Sequence, residues 1–173
     1  LIHWPVPSQG KFVEAWSTLV ELQKQGRVKS IGVSNFNPDH IEQIVEATGV
    51  TPVVDQIELH PRFQQRDKRD FLRERDIHIE SWSPLGSGRM LDDSTVGAIA
   101  KKHGKSIAQI IIRWHLQEGL IVIPKSTHKE RIVENFAVLD FELDADDMDK
   151  ILRLDKGASG RVGSDPAKAS FLF

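Results

Sequence analysis

Five short apolar runs that read as β-strands alternate along this chain with stretches of helical periodicity. The strand-like runs cover residues 1–3, 29–34, 52–59, 77–82 and 120–123. Capping residues mark the starts of helices between and after them, since Asn37 precedes Pro38 and Asp144 precedes Ala145. Strands that alternate with helices at this spacing pack as a parallel sheet covered by helices, so the pattern predicts an α/β fold.

The helices are predicted from apolar residues three or four positions apart and from their capping residues. Capping-box patterns begin at Ser106 and at Thr127. The expected helices run from Phe12 to about Gly26, from Pro38 to about Gly49, over residues 66–75, from about Val96 to Gly104, after Ser106, after Thr127, and over residues 145–154.

Two architectures satisfy this alternation: a doubly wound open sheet and part of a (β/α)8 barrel. A doubly wound dinucleotide fold carries G-x-G-x-x-G after its first strand, whereas this sequence has only Gly86-Ser87-Gly88 without the third glycine. An intact barrel takes about 250 residues and eight strands. This chain has 173 residues. The residues alone leave both architectures open.

Composition excludes several other classes of protein. Apolar residues make up 39% and charged residues 28% of the chain, which excludes a disordered or fibrous protein. The formal charge of -2 gives no basic excess for nucleic acid or for an acidic membrane. The absence of cysteine excludes disulfides and Cys-ligated metal sites, and we expect no metal site. The sequence has no long apolar run and no signal peptide pattern, so we expect the protein to be cytoplasmic. We expect it to have neither nucleic-acid nor membrane partners.

Polar or aromatic residues stand where each strand-like run ends. They are His3-Trp4, Ser34-Asn35, Gln56 with Glu58, Trp82-Ser83 and Lys125-Ser126. In both architectures the carboxyl ends of parallel strands build the functional site. Taken singly, each has an ordinary structural explanation, such as a hydrogen-bonded core histidine or a packed tryptophan. The repetition at all five ends favours a shared site.

A cationic segment leads into one predicted helix. Lys125-Ser126-Thr127 precedes the helix N-terminus, where free backbone N–H groups and the helix dipole favour an anion. Arg131 is expected on the second turn of that helix, from which it can turn back toward the same place, and a lysine paired with an arginine suits a phosphate group. The alternative is a solvated basic helix start.

Four motifs in order resemble the aldo-keto reductase family. They are Leu1-Ile2-His3-Trp4-Pro5, Ile31-Gly32-Val33-Ser34-Asn35-Phe36, Gln56-Ile57-Glu58-Leu59-His60-Pro61, and Ile123-Pro124-Lys125-Ser126 followed by Arg131, Glu134 and Asn135. Trp82-Ser83-Pro84-Leu85-Gly86 and Ser159-Gly160-Arg161-Val162 are similar to the bacterial 2,5-diketo-D-gluconate reductase-like branch. The resemblance runs through essentially the whole chain.

The resemblance implies a (β/α)8 TIM barrel that binds NADP without a Rossmann fold and reduces aldehydes and ketones by hydride transfer. It implies that His3 is catalytic and orients the carbonyl, and that Trp4 lines the substrate pocket. The implied coenzyme residues are Ser34, Asn35 and Gln56 at the carboxamide, Trp82 against the ring, Ser83, Pro84, Leu85 and Ser87 at the pyrophosphate, Lys125, Ser126, Thr127 and Arg131 at the 2′-phosphate, and Glu134 and Asn135 at the adenine. The partner is then a small-molecule carbonyl substrate, and the full-length protein is expected to be a monomer.

The chain has no tyrosine, and the family's general acid is a tyrosine. The matched motifs begin at the fourth barrel strand of the family. We therefore expect residues 1–173 to be a single domain, the C-terminal part of a barrel with strands 4 to 8, whose acid lies in missing N-terminal units. Such a piece exposes an unpaired edge, so we do not expect it to fold stably alone.

Asp55 stands where the family usually has asparagine, and a buried carboxylate there needs a partner or a raised pKa. Three hypotheses remain open: part of an NADPH-dependent carbonyl reductase, a non-catalytic NADP-binding half-barrel, and an accessory subunit. His3 and Trp4 favour the first, because a pure coenzyme binder needs no carbonyl-orienting histidine. The missing tyrosine favours the other two for these 173 residues.

Overall fold

The computed structural model describes residues 1–170 as two compact units. Among the described residues, the first unit contains residues 1–57, 66–80 and 163–170, and the second contains residues 58–65 and 81–162. None of the helices in the described part of the chain is long and apolar enough to cross a membrane.

The elements alternate as the sequence pattern predicts. The strands are β1 (Val33–Ser34), β2 (Val54–Glu58), β3 (His78–Trp82) and β4 (Ile121–Val122). The helices are α1 (Phe12–Lys24), α2 (Pro38–Thr48), α3 (Arg66–Arg73), α4 (Ser94–His103), α5 (Ile107–Gln117), α6 (Lys129–Phe136) and α7 (Ala145–Leu152). Single 3-10 turns cover Pro7–Gln9, Gly86–Gly88 and Gly157–Gly160.

The strands form a sheet in the order β1-β2-β3-β4. β1 and β2 are parallel, with Val33 opposite Asp55 and Ser34 opposite Gln56. This parallel pairing between helices confirms the predicted α/β class.

The first strand-like run is shorter than predicted, since Ile2 forms only a single parallel bridge to Val33. Backbone hydrogen bonds nevertheless continue along this edge, from Ile2 N–H to Gly32 O and from Ser34 N–H to Ile2 O. Gly32 permits this close approach. A Cβ built there would lie 2.6 Å from Cγ1 of Val54, a distance that side chains do not tolerate.

The core of the first unit comes from the apolar stripe of α1 and the inner faces of its neighbours. Phe12, Trp16 and Val20 are spaced four residues apart, so they lie on one face of α1, and all three are buried. The indole Nε1–H of Trp16 donates to Oγ1 of Thr48 and to the carbonyl of Val50, both at 3.2 Å. These bonds fix α1 against the end of α2.

The second unit is built around α5, whose buried residues include Ile110, Ile111 and Trp114. The predicted capping box at Ser106 is present, with Ser106 Oγ accepting from Gln109 N–H at 3.3 Å and Gln109 Oε1 accepting from Ser106 N–H at 3.0 Å. Asp144 caps α7 in the same way, accepting from Asp147 N–H at 2.9 Å.

The capping box predicted at Thr127 is wrong. Helix α6 begins at Lys129, with His128 in the N-cap position and no side-chain cap. Ser126 Oγ accepts from His128 N–H at 3.1 Å instead, so a serine turn satisfies the backbone before the helix begins. As a consequence Arg131 lies in the first turn of α6 and not in its second.

Asp55 is fully buried in the first unit. Oδ1 accepts a long hydrogen bond of 3.4 Å from Phe36 N–H, and Oδ2 has no hydrogen-bond partner among the described residues. Burial raises the pKa of this carboxyl to about 6, although Lys68 and the Phe36 N–H act in the opposite direction. The raised pKa expected for a buried carboxylate at this position is confirmed.

This raised pKa predicts that Asp55→Asn stabilises the protein at high pH. The unfolded carboxyl ionises from about pH 4, while the folded one stays protonated up to its own pKa of about 6. The contribution of Asp55 to stability therefore falls as pH rises through that window. At pH 8 we expect the variant to gain roughly 2–3 kcal/mol in free energy of unfolding, and near pH 4 to gain nothing.

Chemical denaturation of the full-length protein at the two pH values measures this difference. Asp92→Asn, which removes the same charge from an exposed position, is the matched control and should leave both values unchanged. A gain for Asp55→Asn that is equal at both pH values would contradict a buried, protonated carboxyl.

Candidate functional site

In the first unit, the predicted site residues form a chain of hydrogen bonds at the end of β1. Asn35 Nδ2 donates to the carbonyl of His3 and to Oγ of Ser34, both at 3.0 Å. Ser34 Oγ in turn donates to the carbonyl of Gln56 at 2.8 Å. Ser34 and Asn35 are almost fully buried, so these bonds hold the amide of Asn35 in one orientation.

Asn35 has a backbone φ of 62°, in the left-handed region that non-glycine residues rarely adopt. Asparagine tolerates this conformation better than most residues, and strain of this kind is concentrated at functional sites. The backbone N–H of Asn35 also donates to the carbonyl of Gln56 at 2.9 Å, which ties the end of β1 to the middle of β2.

The remaining predicted residues of the first unit are more accessible. Gln56 is half-buried in the middle of β2, and its Nε2 donates to Oε1 of Glu80 on β3. His3 is exposed, and its ring centroid lies 6.1 Å from that of the half-buried Trp4. His3 and Trp4 thus form an accessible aromatic pair beside the fixed amide of Asn35.

In the second unit, β3 ends in a tight turn that carries four of the predicted residues. Gly86 N–H donates to the carbonyl of Ser83 at 2.8 Å, and the two hydroxyls of Ser83 and Ser87 lie 3.5 Å apart. Ser83 and Ser87 have positive φ values of 48° and 54°. Both serines thus lie in the left-handed region that non-glycine residues rarely adopt, and their hydroxyls are close enough for a weak hydrogen bond.

The cationic segment lies between β4 and α6. The side chains of Lys125 and Arg131 are exposed, and neither forms an ion pair with another residue of the described part of the chain. The buried side chain of Gln109 donates to the carbonyls of Glu134 and Ala137, at 3.2 and 2.8 Å, and so fixes the end of α6 to α5. Two uncompensated cations beside a helix N-terminus favour a bound anion.

The turn and the cationic segment line one cavity of about 600 Å³ in the second unit. Its wall contains nine of the predicted coenzyme residues: Ser83, Pro84, Leu85, Ser87, Lys125, Ser126, Arg131, Glu134 and Asn135. Lys125 and Arg131 give it a cationic part, the serines a polar part, and several aliphatic side chains an apolar part. This combination suits an elongated ligand that carries phosphate groups and a flat apolar ring.

Two predicted coenzyme residues of the second unit do not line this cavity. Trp82 is half-buried at the end of β3, and Thr127 is exposed one residue before the α6 N-cap. The position of Thr127 follows from the later start of α6, which leaves its side chain in the serine turn outside the cavity wall. The stacking role of Trp82 stays a prediction.

The sequence reasoning missed part of the cavity wall, namely Gly88, Leu91, Ser106, Ile107, Ala108, Ile123 and Pro124. Leu91 and Ile123 are 46% and 43% exposed, and they form part of the apolar wall of the cavity. The first turn of α5 was interpreted only as a helix start. The small side chain of Ala108, two residues after the capping Ser106, was the available signal for a ligand-facing turn.

The family model described as the aldo/keto reductase family matches residues 1–156. An aldo-keto reductase of Mycolicibacterium smegmatis is 50% identical over 171 residues, which are 99% of this chain and 62% of that protein. Methylglyoxal reductase DkgA of Escherichia coli K12 is 51% identical over 168 residues, which are 96% of this chain and 60% of that protein.

Among solved structures, a mutant of Gox0644 in complex with NADPH is 59% identical and superposes with a TM-score of 0.96. The match covers 98% of this chain and 62% of that one. The chain thus spans about three-fifths of the length of the relatives that it matches.

Proposed function

Because this chain belongs to the aldo/keto reductase family, we propose that its full-length protein reduces aldehydes and ketones with NADPH. The observation that carries the proposal is the 600 Å³ cavity of the second unit, which combines two uncompensated cations with an apolar wall. The NADPH bound by the similar Gox0644 mutant and the reductase name of the E. coli relative support it.

The residues around this cavity fit NADPH. Lys125 and Arg131 suit the dianionic 2′-phosphate, which distinguishes NADPH from NADH, because paired cationic donors bind such a group strongly. The hydroxyls of Ser83 and Ser87 suit the pyrophosphate. The exposed aliphatic side chains of Leu91 and Ile123 offer the apolar surface that an adenine ring needs.

In the first unit, the proposed reaction depends on orientation. NADPH, when bound, supplies the hydride. Asn35 and Gln56 hold the coenzyme carboxamide through amide groups that their hydrogen bonds keep in place. His3 donates a hydrogen bond to the substrate carbonyl oxygen, which positions the carbonyl and stabilises the negative charge that develops there. Trp4 forms an apolar wall for the substrate. Trp82, which belongs to the second unit, supplies a flat surface for the nicotinamide.

The alkoxide that forms must also receive a proton. The chain contains no tyrosine, so a phenol of these residues cannot be the donor. For these 173 residues, the missing tyrosine favours a second candidate, a non-catalytic NADP-binding protein. The accessible His3 favours the reductase, because a coenzyme binder has no need for an accessible imidazole beside the carboxamide site.

We further propose small dicarbonyl compounds and keto sugar acids as the substrate class. We also propose that the catalytic part of the protein is a single domain and that the protein is a monomer. The similarity to methylglyoxal reductase DkgA supports the first of these compounds. The similarity of Ser159-Gly160-Arg161-Val162 to the diketogluconate branch supports the second.

Steady-state kinetics of the full-length protein test the proposal. With methylglyoxal as substrate, we expect oxidation of NADPH at a kcat/KM at least about tenfold higher than that with NADH, because only NADPH uses the cationic pair. Tight NADPH binding without turnover of any aldehyde or ketone would favour the non-catalytic candidate. An NADH preference would contradict the coenzyme assignment.

A further inference from the structure

A second cavity of about 190 Å³ lies in the second unit and shares no lining residue with the first. Three segments surround it: the loop at His60 and Arg62, the turn from Gly86 to Met90, and residues 156–162. Four basic side chains line it, and no carboxylate is found among the described lining residues. The proposed reductase activity gives no role to this cavity.

Two of the four cations have partners near at hand. Arg62 donates to Oδ2 of Asp93 at 2.7 Å. Burial opposes the charge of Asp93, but the hydrogen bonds from Arg62 and from the N–H groups of Val96 and Thr95 hold its pKa below the usual range. The guanidinium of Arg161 lies 4.6 Å above the ring of Phe63.

The other two cations, Arg89 and Lys156, are exposed and form no ion pair with any residue in the described part of the chain. They give the cavity an excess of positive charge. Two cationic side chains that converge on a concave surface without a carboxylate favour a bound anion.

A buried histidine supplies an independent sign of a ligand. His60 is 1% exposed, and its Nε2 lies 3.2 Å from Oε1 of Glu58. The carboxylate therefore takes the Nε2–H, while the buried Nδ1 has no hydrogen-bond partner among the described residues. A buried polar atom without a partner is rare in a folded protein, and a bound group commonly supplies the partner.

The space in front of this nitrogen is kept open by Gly86. A Cβ at this position would lie 3.6 Å from Nδ1 of His60 and 3.3 Å from Cγ of Met90, so any side chain would occupy the cavity wall. The backbone opposite is fixed, because Lys156 N–H donates to the carbonyl of Arg62 at 3.0 Å. Gly160 packs against the same carbonyl so closely that a Cβ would lie 1.8 Å from the oxygen.

We propose that this cavity binds a phosphate group, either as inorganic phosphate or as the terminal group of a phosphate monoester. Phosphate suits both the two cations and the unpartnered Nδ1 of His60. Its oxygens accept hydrogen bonds from Arg89 and Lys156. A P–OH group donates to neutral Nδ1 of His60, and a phosphate oxygen accepts from that nitrogen when it is protonated. The cavity holds one such group, since its volume is several times the roughly 30 Å³ of a water molecule.

Calorimetric titration with inorganic phosphate tests the proposal. The full-length protein used for it carries Lys125→Ala and Arg131→Ala, so that the cations of the larger cavity cannot bind the phosphate. We expect binding of one phosphate per chain. Adding Arg89→Ala and Lys156→Ala should weaken that binding at least about tenfold. The matched control adds Lys101→Ala and Arg153→Ala, which remove the same charge from exposed positions outside the cavity, and should leave the affinity unchanged.

Ser159→Glu provides a second variant that removes no cation and places a carboxylate at the exposed rim. We expect it to abolish phosphate binding, and we expect Ser159→Ala, which loses the same hydrogen bond to the Lys156 carbonyl without adding a charge, to retain it. A parallel titration with β-glycerophosphate separates the two sources, since tighter binding than that of inorganic phosphate indicates a monoester and weaker binding indicates the free anion. No binding of either compound, or an equal loss in the control variant, would overturn the proposal.

Discussion

Replacing His3 by alanine is expected to lower kcat at least about a hundredfold while the dissociation constant for NADPH stays within about twofold of the original value. The reason is that the His3 imidazole is exposed beside the carboxamide-binding residues and is proposed to contact only the substrate oxygen. Its backbone carbonyl, which accepts from Asn35, is retained in the variant. The fixed amide of Asn35 should therefore still bind the coenzyme.

Stopped-flow turnover and NADPH fluorescence titration measure the two quantities separately. His78→Ala is the matched control, because it removes an exposed imidazole from the first residue of β3, at the strand end opposite Trp82. It should change neither quantity. His3→Gln, which retains a hydrogen-bond donor, should recover part of kcat. A large loss of NADPH affinity in His3→Ala would show that the histidine supports the structure and does not act on the substrate.

Replacing Arg131 by alanine is expected to weaken NADPH binding about tenfold to a hundredfold and NADH binding less than about twofold. The proposed partner of Arg131 is the 2′-phosphate, which NADH lacks. The side chain is exposed in the first turn of α6 and lines the cavity with Lys125, so its removal should not disturb the fold.

Equilibrium titration of the variant and of the original protein with NADPH and with NADH gives the change in dissociation constant for each coenzyme. Lys129→Ala is the matched control, because Lys129 lies two residues earlier on the same helix, is exposed and does not line the cavity. It removes the same charge from the same helix end and should change NADPH affinity by less than about threefold. Equal losses for the two coenzymes in Arg131→Ala would contradict the 2′-phosphate assignment.

The sequence predicted the order of elements well because each depends on local signals. Ser106 and Asp144 cap their helices as predicted, since a capping side chain needs only the backbone three residues ahead. The start of α6 was predicted incorrectly, since the helix begins at Lys129 with His128 as its N-cap. The Ser126 hydroxyl accepts from His128 N–H and forms a serine turn just before the helix, which a spacing pattern does not show.

Strand lengths were harder to predict than strand positions. Residues 29–34 were expected to form one strand, yet only Val33 and Ser34 do so. Lys29 and Ser30 are exposed, so the buried part of the run begins only after them. The extent of a strand depends on its neighbours. β1 pairs with β2 on one side, but on its other side the partner is the single residue Ile2.

The candidate site was predictable where the residues are polar and stand at strand ends. Ser83, Lys125 and Arg131 were singled out in this way, and all three line the larger cavity. The apolar wall was not predicted, because Leu91 and Ile123 look like ordinary core residues until their exposure is known. The second cavity was missed altogether, because it joins segments up to about a hundred residues apart, and each contributes only one or two ordinary basic side chains.

The central claim is that the larger cavity binds a 2′-phosphorylated adenine nucleotide, and a fragment of the coenzyme tests it most directly. 2′,5′-ADP and 5′-ADP both lack nicotinamide, so calorimetric titration of the full-length protein with each of them measures the cavity of the second unit alone. We predict that 2′,5′-ADP binds at least about tenfold more tightly than 5′-ADP, because only 2′,5′-ADP carries the phosphate that Lys125 and Arg131 are placed to hold. Equal dissociation constants, or no binding of 2′,5′-ADP, would contradict the account.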